Sequence, residues 1–167
     1  TIEKLKSRLK NKVLDALITD VNTERRELLD EVDRGMIMAK KKFAQFQQLF
    51  QTVGNHPGAQ ELLNELISIS KECEYYSGLC DGLTFKKWVF TLSEGEKAYT
   101  NLNKEIIFYE RCREGLMKAI DYYYQLVSKS DFTAENDFTQ MQAFLKKAIS
   151  VIKGYVSDTK SNLINYY

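Results

Sequence analysis

Apolar positions recur at helical spacing along most of the chain. Residues 2–19 carry apolar side chains in steps of three and four, and the same alternation runs from Leu29 to Val53. Such a pattern is the seam of a helix that packs against another helix. We therefore predict a helix over 24–52, while the pattern leaves open whether 2–52 is one helix or two. Three polar residues are candidate caps at a joint: Asp20, Asn22 and Thr23.

Few residues interrupt the helical pattern. GNHPG at 54–58 holds the only proline of the chain and is typical of a turn. A further helix is predicted from Ala59 to about Ser77. The two glycines of SGLCDGLT, 77–84, then predict a helix end or a kink.

The longest seam runs from Phe85 to about Ser128, and its apolar positions include a glycine, Gly95. Glycine inside a helix costs roughly 0.5–1 kcal/mol relative to alanine. The seam predicts one helix roughly 65 Å long at 1.5 Å per residue. We interpret Gly95, with Ala98 three residues later, as a place where another helix approaches closely.

The pattern as a whole predicts an all-α fold. A polar connection at 128–137 precedes a last helix at about 134–165, and the chain contains one proline and eight glycines. We expect an elongated antiparallel bundle of four to five long helices that forms a single domain over 1–167. Because a charged helical pattern is already running at Thr1, we also expect the chain to be a fragment of a larger protein.

Composition and charge narrow the function classes. The formal net charge is +1 and the pI is about 7.5. The net charge therefore gives no electrostatic attraction that favours binding to nucleic acid or to an anionic membrane. No apolar run reaches 18 residues, which predicts no transmembrane segment. Three cysteines without metal-ligand spacing predict a reduced, cytoplasmic protein.

No catalytic, metal-binding or cofactor-binding motif occurs in the sequence. The lone histidine, His56, lies in the predicted turn without a second histidine to join it at a metal or catalytic site. The acidic and basic runs of the first half are interpreted as solvated helix faces. We therefore predict a protein that is not an enzyme and that carries no cofactor.

Tyrosine is the most distinctive component, with ten copies in 167 residues, some of them in runs such as 122–124 and 166–167. One helix face cannot bury three consecutive rings. Two interpretations stay open: a protein interface, where tyrosine is favoured, or a wide core between crossing helices with the hydroxyls reaching water.

The segment FKKWVFTLSEGEKAYTNL, 85–102, resembles the V domain of ALIX-type Bro-domain adaptors, which are associated with ESCRT. The matching positions are Leu92, Glu94, Gly95, Lys97, Tyr99 and Leu102. Residues 41–53 and 5–13 look similar to the preceding arm helices of that family, so that the resemblance covers about 5–112. In the family an aromatic residue precedes the tyrosine, whereas this chain has Ala98.

The resemblance implies a non-catalytic scaffold in endosomal sorting, with a localisation in the cytoplasm and at endosomes. In that family the V domain binds tyrosine-proline-x-leucine peptides in a hydrophobic pocket and ubiquitin elsewhere on an arm. Carried over, it places a protein-binding site on the following residues: Trp88, Gly95, Ala98, Tyr99, Leu102 and Ile106. The alternative hypothesis is a spectrin-like or coiled-coil bundle that self-associates as a cytoskeletal or trafficking scaffold. An enzyme or cofactor-binding bundle is the third, least favoured hypothesis.

Overall fold

The computed structural model describes residues 4–6, 30–128 and 135–166, and within them all side chains except those of 90–94 and 135–137. The helices are α1 (Glu31–Val53), α2 (Pro57–Glu72), α3 (Tyr76–Ser128), α4 (Glu135–Thr159) and α5 (Asn162–Tyr166). Residues 4–6 are also helical, and none of the described residues forms a strand. The all-α prediction is therefore confirmed. The candidate caps Asp20, Asn22 and Thr23 and the connection at 129–134 lie outside the described residues.

Two compact units divide the chain, Thr1–Gly78 and Leu79–Tyr167. In the first unit, α1 and α2 form an antiparallel hairpin. Lys42 pairs with Glu65 near the middle of the two helices. The space beside Gly35 at the start of α1 is filled by Cys73, just after α2 ends. Five core residues between these helices are buried: Ala39, Phe46, Ala59, Leu63 and Leu66.

The GNHPG turn between α1 and α2 is confirmed, and each of its parts has a local cause. The Gly54 N–H donates to the carbonyl of Phe50, at a φ of 71° that favours glycine. His56 is the N-cap of α2, where its Nδ1 accepts a hydrogen bond from the Gly58 N–H at 3.1 Å. Pro57 follows in the first turn, where its missing N–H costs nothing. His56 is exposed, in agreement with a turn role.

The helix break predicted at 77–84 is wrong, because α3 runs through that segment. The break lies earlier, where Glu74 adopts a φ of 51° and the Tyr75 N–H donates to the carbonyl of Ser70 at 2.8 Å. This is the hydrogen bond of a Schellman cap, here built on a residue other than glycine. Gly78 does not end a helix, and a glycine is required there because Tyr75 and Ser70 leave no room for a side chain. A Cβ there would lie 2.5 Å from the Tyr75 ring and 2.8 Å from the Ser70 hydroxyl.

In the second unit the chain reverses direction at Gly95, inside α3. The Lys87 ammonium donates to Asn103 Oδ1 at 3.2 Å, although residues 16 apart on a straight helix are about 24 Å apart. The charges of Glu110 and Arg113 act on Cys80, some 30 residues earlier in the sequence. Gly95 has φ 78° and ψ −173°, which is not helical. The predicted straight helix over 85–128 is therefore wrong, and α3 is a hairpin of two arms, 76–94 and 96–128.

The second arm of α3 then packs against α4 and α5. Their buried cluster consists of Ala119, Tyr155 and Ile164, with four half-buried aliphatic residues around it: Leu116, Val151, Ile152 and Val156. Tyr122 contacts Phe144 with ring centroids 5.7 Å apart, and Arg111 contacts Asp158 at 3.3 Å. Early positions of the arm thus meet late positions of α4, which is an antiparallel arrangement.

The last helix does not continue over 134–165 as predicted, because it breaks at residues 160–161. Lys160 adopts a φ of 55° and its N–H donates to the carbonyl of Val156 at 2.7 Å. Ser161 then caps α5, since its hydroxyl oxygen accepts from the Ile164 N–H at 3.0 Å. The break turns Ile164 into the core of the unit, where it is fully buried.

Candidate protein-binding site at the hairpin end of α3

The residues proposed as a binding site all lie near the reversal of α3. Trp88 is on the first arm, Gly95 is the turn, and four residues lie on the second arm: Ala98, Tyr99, Leu102 and Ile106. Their exposure differs along the arm. Ile106 is buried and Leu102 and Ala98 are half-buried, whereas Tyr99 is 44 % exposed and Trp88 is 65 % exposed. We call this set the hairpin end. The rings of Trp88 and Tyr99 are exposed to solvent there, whereas Ile106 on the second arm is buried.

Each exposed ring of the hairpin end has a neighbour that limits its rotation. The Trp88 ring meets the Phe85 ring edge to face, with centroids 6.3 Å apart. The Lys87 ammonium lies 5.4 Å from the centroid of the Tyr99 ring and also donates to Asn103. A cation over an aromatic face is attracted by the ring quadrupole. Lys87 therefore joins the two arms and holds Tyr99, a role that the spacing of the sequence did not reveal.

The interpretation of Gly95 as a close-approach position is wrong. Gly95 is exposed, and a Cβ built on it meets no atom within 4 Å. Glycine is needed because a φ of 78° with a ψ of −173° is a conformation that essentially only glycine adopts. Of the residues that carry the family resemblance, the side chains of Leu92 and Glu94 lie outside the described part.

The close approach occurs instead at Gly115, on the second arm of α3. A Cβ there would lie 2.8 Å from Tyr155 Cδ1 and 2.9 Å from Ile164 Cδ1. Arg111, one turn earlier, stacks 4.0 Å from the Tyr155 ring centroid and contacts Glu114 and Asp158. The interaction of the Tyr155 hydroxyl with the Glu114 carboxylate raises the pKa of the phenol and lowers the pKa of the carboxyl. This network locks α3 to α4, and it involves no residue predicted for the site.

The tyrosine runs divide between core and surface. Tyr122 is half-buried against Phe144, whereas Tyr123 and Tyr124 are 46 % and 65 % exposed. Tyr166 on α5 is 83 % exposed. Tyr122 therefore fits the interpretation as a core residue between helices, whereas the exposed rings leave the interface interpretation a prediction.

The ionisable groups of the described residues give no sign of an activated nucleophile or a metal centre. Cys73, Cys80 and Cys112 are buried and form no disulfide, and burial raises the pKa of the Cys73 and Cys80 thiols. Within the described ranges, no three His, Cys, Asp or Glu side chains converge as metal ligands. None of the helices described there combines the length and hydrophobicity of a membrane crossing.

Comparison with protein-family models, curated proteins and solved structures finds no match to this chain. The helices themselves define the class of this chain, an all-α protein built from antiparallel helix hairpins.

Proposed function

We propose that the chain is a non-catalytic, adaptor-type protein-binding module and that the hairpin end of α3 contacts its partner. The observation that carries the proposal is the exposure of Trp88 and Tyr99 at the point where the helix reverses. Tryptophan and tyrosine are enriched among the residues that dominate binding energy at protein interfaces. A ring already held by Phe85 or Lys87 loses less conformational entropy when a partner covers it.

The family resemblance supplies the partner classes: a short tyrosine-proline-x-leucine peptide or ubiquitin, recognised in endosomal sorting. Ala98 replaces the aromatic residue of the family, so the peptide would contact Tyr99 and Trp88 from the two arms rather than two adjacent rings on one helix. Ubiquitin, which that family binds elsewhere on an arm, would in this chain cover the same exposed rings over a wider area.

Trp88 is the only tryptophan in the chain, so the tryptophan fluorescence of the protein reports on the proposed site alone. Its fluorescence is followed while the peptide or ubiquitin is added. We expect a saturable change in emission, and Tyr99→Ala should weaken the binding about tenfold, as loss of an interface anchor does.

The matched control for Tyr99→Ala is Phe138→Ala, which removes another large exposed ring, on α4 and away from the hairpin end. This variant should bind like the wild type. No saturation by either partner at about millimolar concentration, which corresponds to about −4 kcal/mol, would refute the proposed function.

Self-association is the second candidate, favoured by exposed apolar residues seven positions apart on one helix face. Met117 and Tyr124 are 60 % and 65 % exposed on the second arm of α3. A helix of a second copy would cover both. Light scattering over a hundredfold concentration range tests this candidate, and a strict monomer throughout would remove it.

A further inference from the structure

A cleft opens at the far end of the second arm of α3 from the hairpin end. Among the described residues it is lined by Ile120, Tyr123 and Tyr124 from α3 and Tyr166 from α5, and its volume is about 480 Å³. That volume falls in the roughly 300–1,000 Å³ range of ligand-binding clefts. Tyr99 and Tyr124 are 25 residues apart on this arm, which separates the two sites by roughly 38 Å along the helix. The cleft is therefore distinct from the hairpin end.

The arrangement of the rings decides between two kinds of ligand. An aromatic cage for a quaternary ammonium surrounds a gap with separate rings. Here the Tyr123 and Tyr124 rings contact each other edge to face, with centroids 5.7 Å apart. The two rings pack against each other and leave no gap between them for a cation, so that they form one angled aromatic wall, and Tyr166 lines the cleft from another helix. A cleft with an aromatic wall is the form that binds polyproline II segments, whose rings pack against aromatic faces.

A carboxylate beside the cleft, that of Asp121, favours a polyproline II ligand that also carries a basic residue. None of the described residues that line the cleft is charged. Asp121 follows Ile120 and precedes Tyr124 by one turn, so that it borders this helix face. It is exposed and accepts a hydrogen bond from Gln125 at 2.8 Å. A carboxylate at the edge of a neutral aromatic cleft is complementary to a lysine or arginine beside the prolines.

We propose that this cleft binds a proline-rich segment in the polyproline II conformation with a basic residue at one end. The prolines pack on the wall of Tyr123 and Tyr124 and against Tyr166, and the phenol hydroxyls donate to peptide carbonyls. A polyproline II helix makes no internal hydrogen bonds, so its carbonyls accept such donors. The basic residue contacts Asp121.

The probe is a fluorescein-labelled octaproline with one terminal arginine, and fluorescence polarisation measures its binding to the full chain. We expect saturation below about 1 mM. Tyr124→Ala and Tyr166→Ala should each weaken binding at least about fivefold, as loss of an aromatic contact does. Because both rings are largely exposed, the variants are expected to fold, and circular dichroism checks this. Phe138→Ala is the matched control and should not change the affinity.

Two further experiments identify the ligand class. The same peptide made of D-residues keeps composition and charge but reverses the helix hand, and it should not bind. Asp121→Asn should weaken the arginine peptide and leave an uncharged octaproline unchanged. Equal binding of the D-peptide, displacement by tetramethylammonium at similar concentration, or retention of affinity in both tyrosine variants would overturn the proposal. None of these results bears on the hairpin end, where Tyr99→Ala is the test.

Discussion

Gly115 provides the sharpest test of how α3 packs against α4 and α5. A Cβ at this position would lie 2.8 Å from Tyr155 Cδ1, 2.9 Å from Tyr155 Cβ and 2.9 Å from Ile164 Cδ1. The Tyr155 Cβ cannot move away by a rotamer change, because it is bonded to the backbone of α4. Gly115→Ala must therefore push the helices apart or shift Tyr155 within the buried cluster that it forms with Ala119 and Ile164.

The expected magnitude is the difference between two opposing effects. Overpacking a core costs typically about 1–3 kcal/mol, and fixed contacts on two helices place Gly115→Ala in the upper half of that range. Replacing glycine by alanine in a helix gains up to about 1 kcal/mol. We expect Gly115→Ala to lower the free energy of unfolding by about 1–2 kcal/mol.

The chain contains a matched control in α4. Gly154 is an exposed helical glycine, and a Cβ on it meets nothing within 4 Å. Gly154→Ala should therefore raise the free energy of unfolding by up to about 1 kcal/mol. Urea denaturation, followed by circular dichroism, measures the free energy of unfolding of both variants. An unchanged dependence of this free energy on urea concentration shows that the unfolded state is unchanged. A Gly115→Ala variant as stable as Gly154→Ala would refute the packing argument.

Three other predictions test the turn, the ionic network and a helix cap. Gly95→Ala and Gly95→Asn should each lower the free energy of unfolding by about 1–3 kcal/mol, because φ 78° with ψ −173° strains any other residue; a melting temperature unchanged in both would contradict this. The interaction with the Tyr155 hydroxyl, and then that with Arg111, lowers the pKa of Glu114 below its ordinary 4.5. The stabilisation by the Glu114 carboxylate is therefore present above that pH and is lost as the pH falls through the lowered pKa. Urea midpoints of wild type and Glu114→Gln should therefore differ at neutral pH and converge in acid, and a difference independent of pH would show that the carboxylate charge has no role. His56→Ala should cost about 1 kcal/mol in thermal unfolding and His56→Ser much less, because Nδ1 caps α2; equal losses would exclude the cap.

Local chemistry explains what could be predicted from the sequence. Helical periodicity reports which positions face other helices, so the all-α class and the helical character of 31–53, 59–72, 85–94 and 135–159 follow from it. The GNHPG turn carries its own signals in glycine and proline, which act within a few residues. Trp88 and Tyr99 are proposed as binding residues from the family resemblance, and the structure places both in solvent at one end of a hairpin.

Only the tertiary structure decided where the chain reverses and which glycine is packed. A helical spacing of apolar positions continues through Gly95 because each arm of the hairpin is itself a helix, so the spacing gives no sign of the reversal. The helix ends at Glu74 and Lys160 use left-handed conformations without glycine, which propensity alone disfavours. The space beside Gly115 exists only because Tyr155 and Ile164 arrive there from distant parts of the sequence. Contacts of this kind depend on which helices meet, and a local pattern carries no information about that.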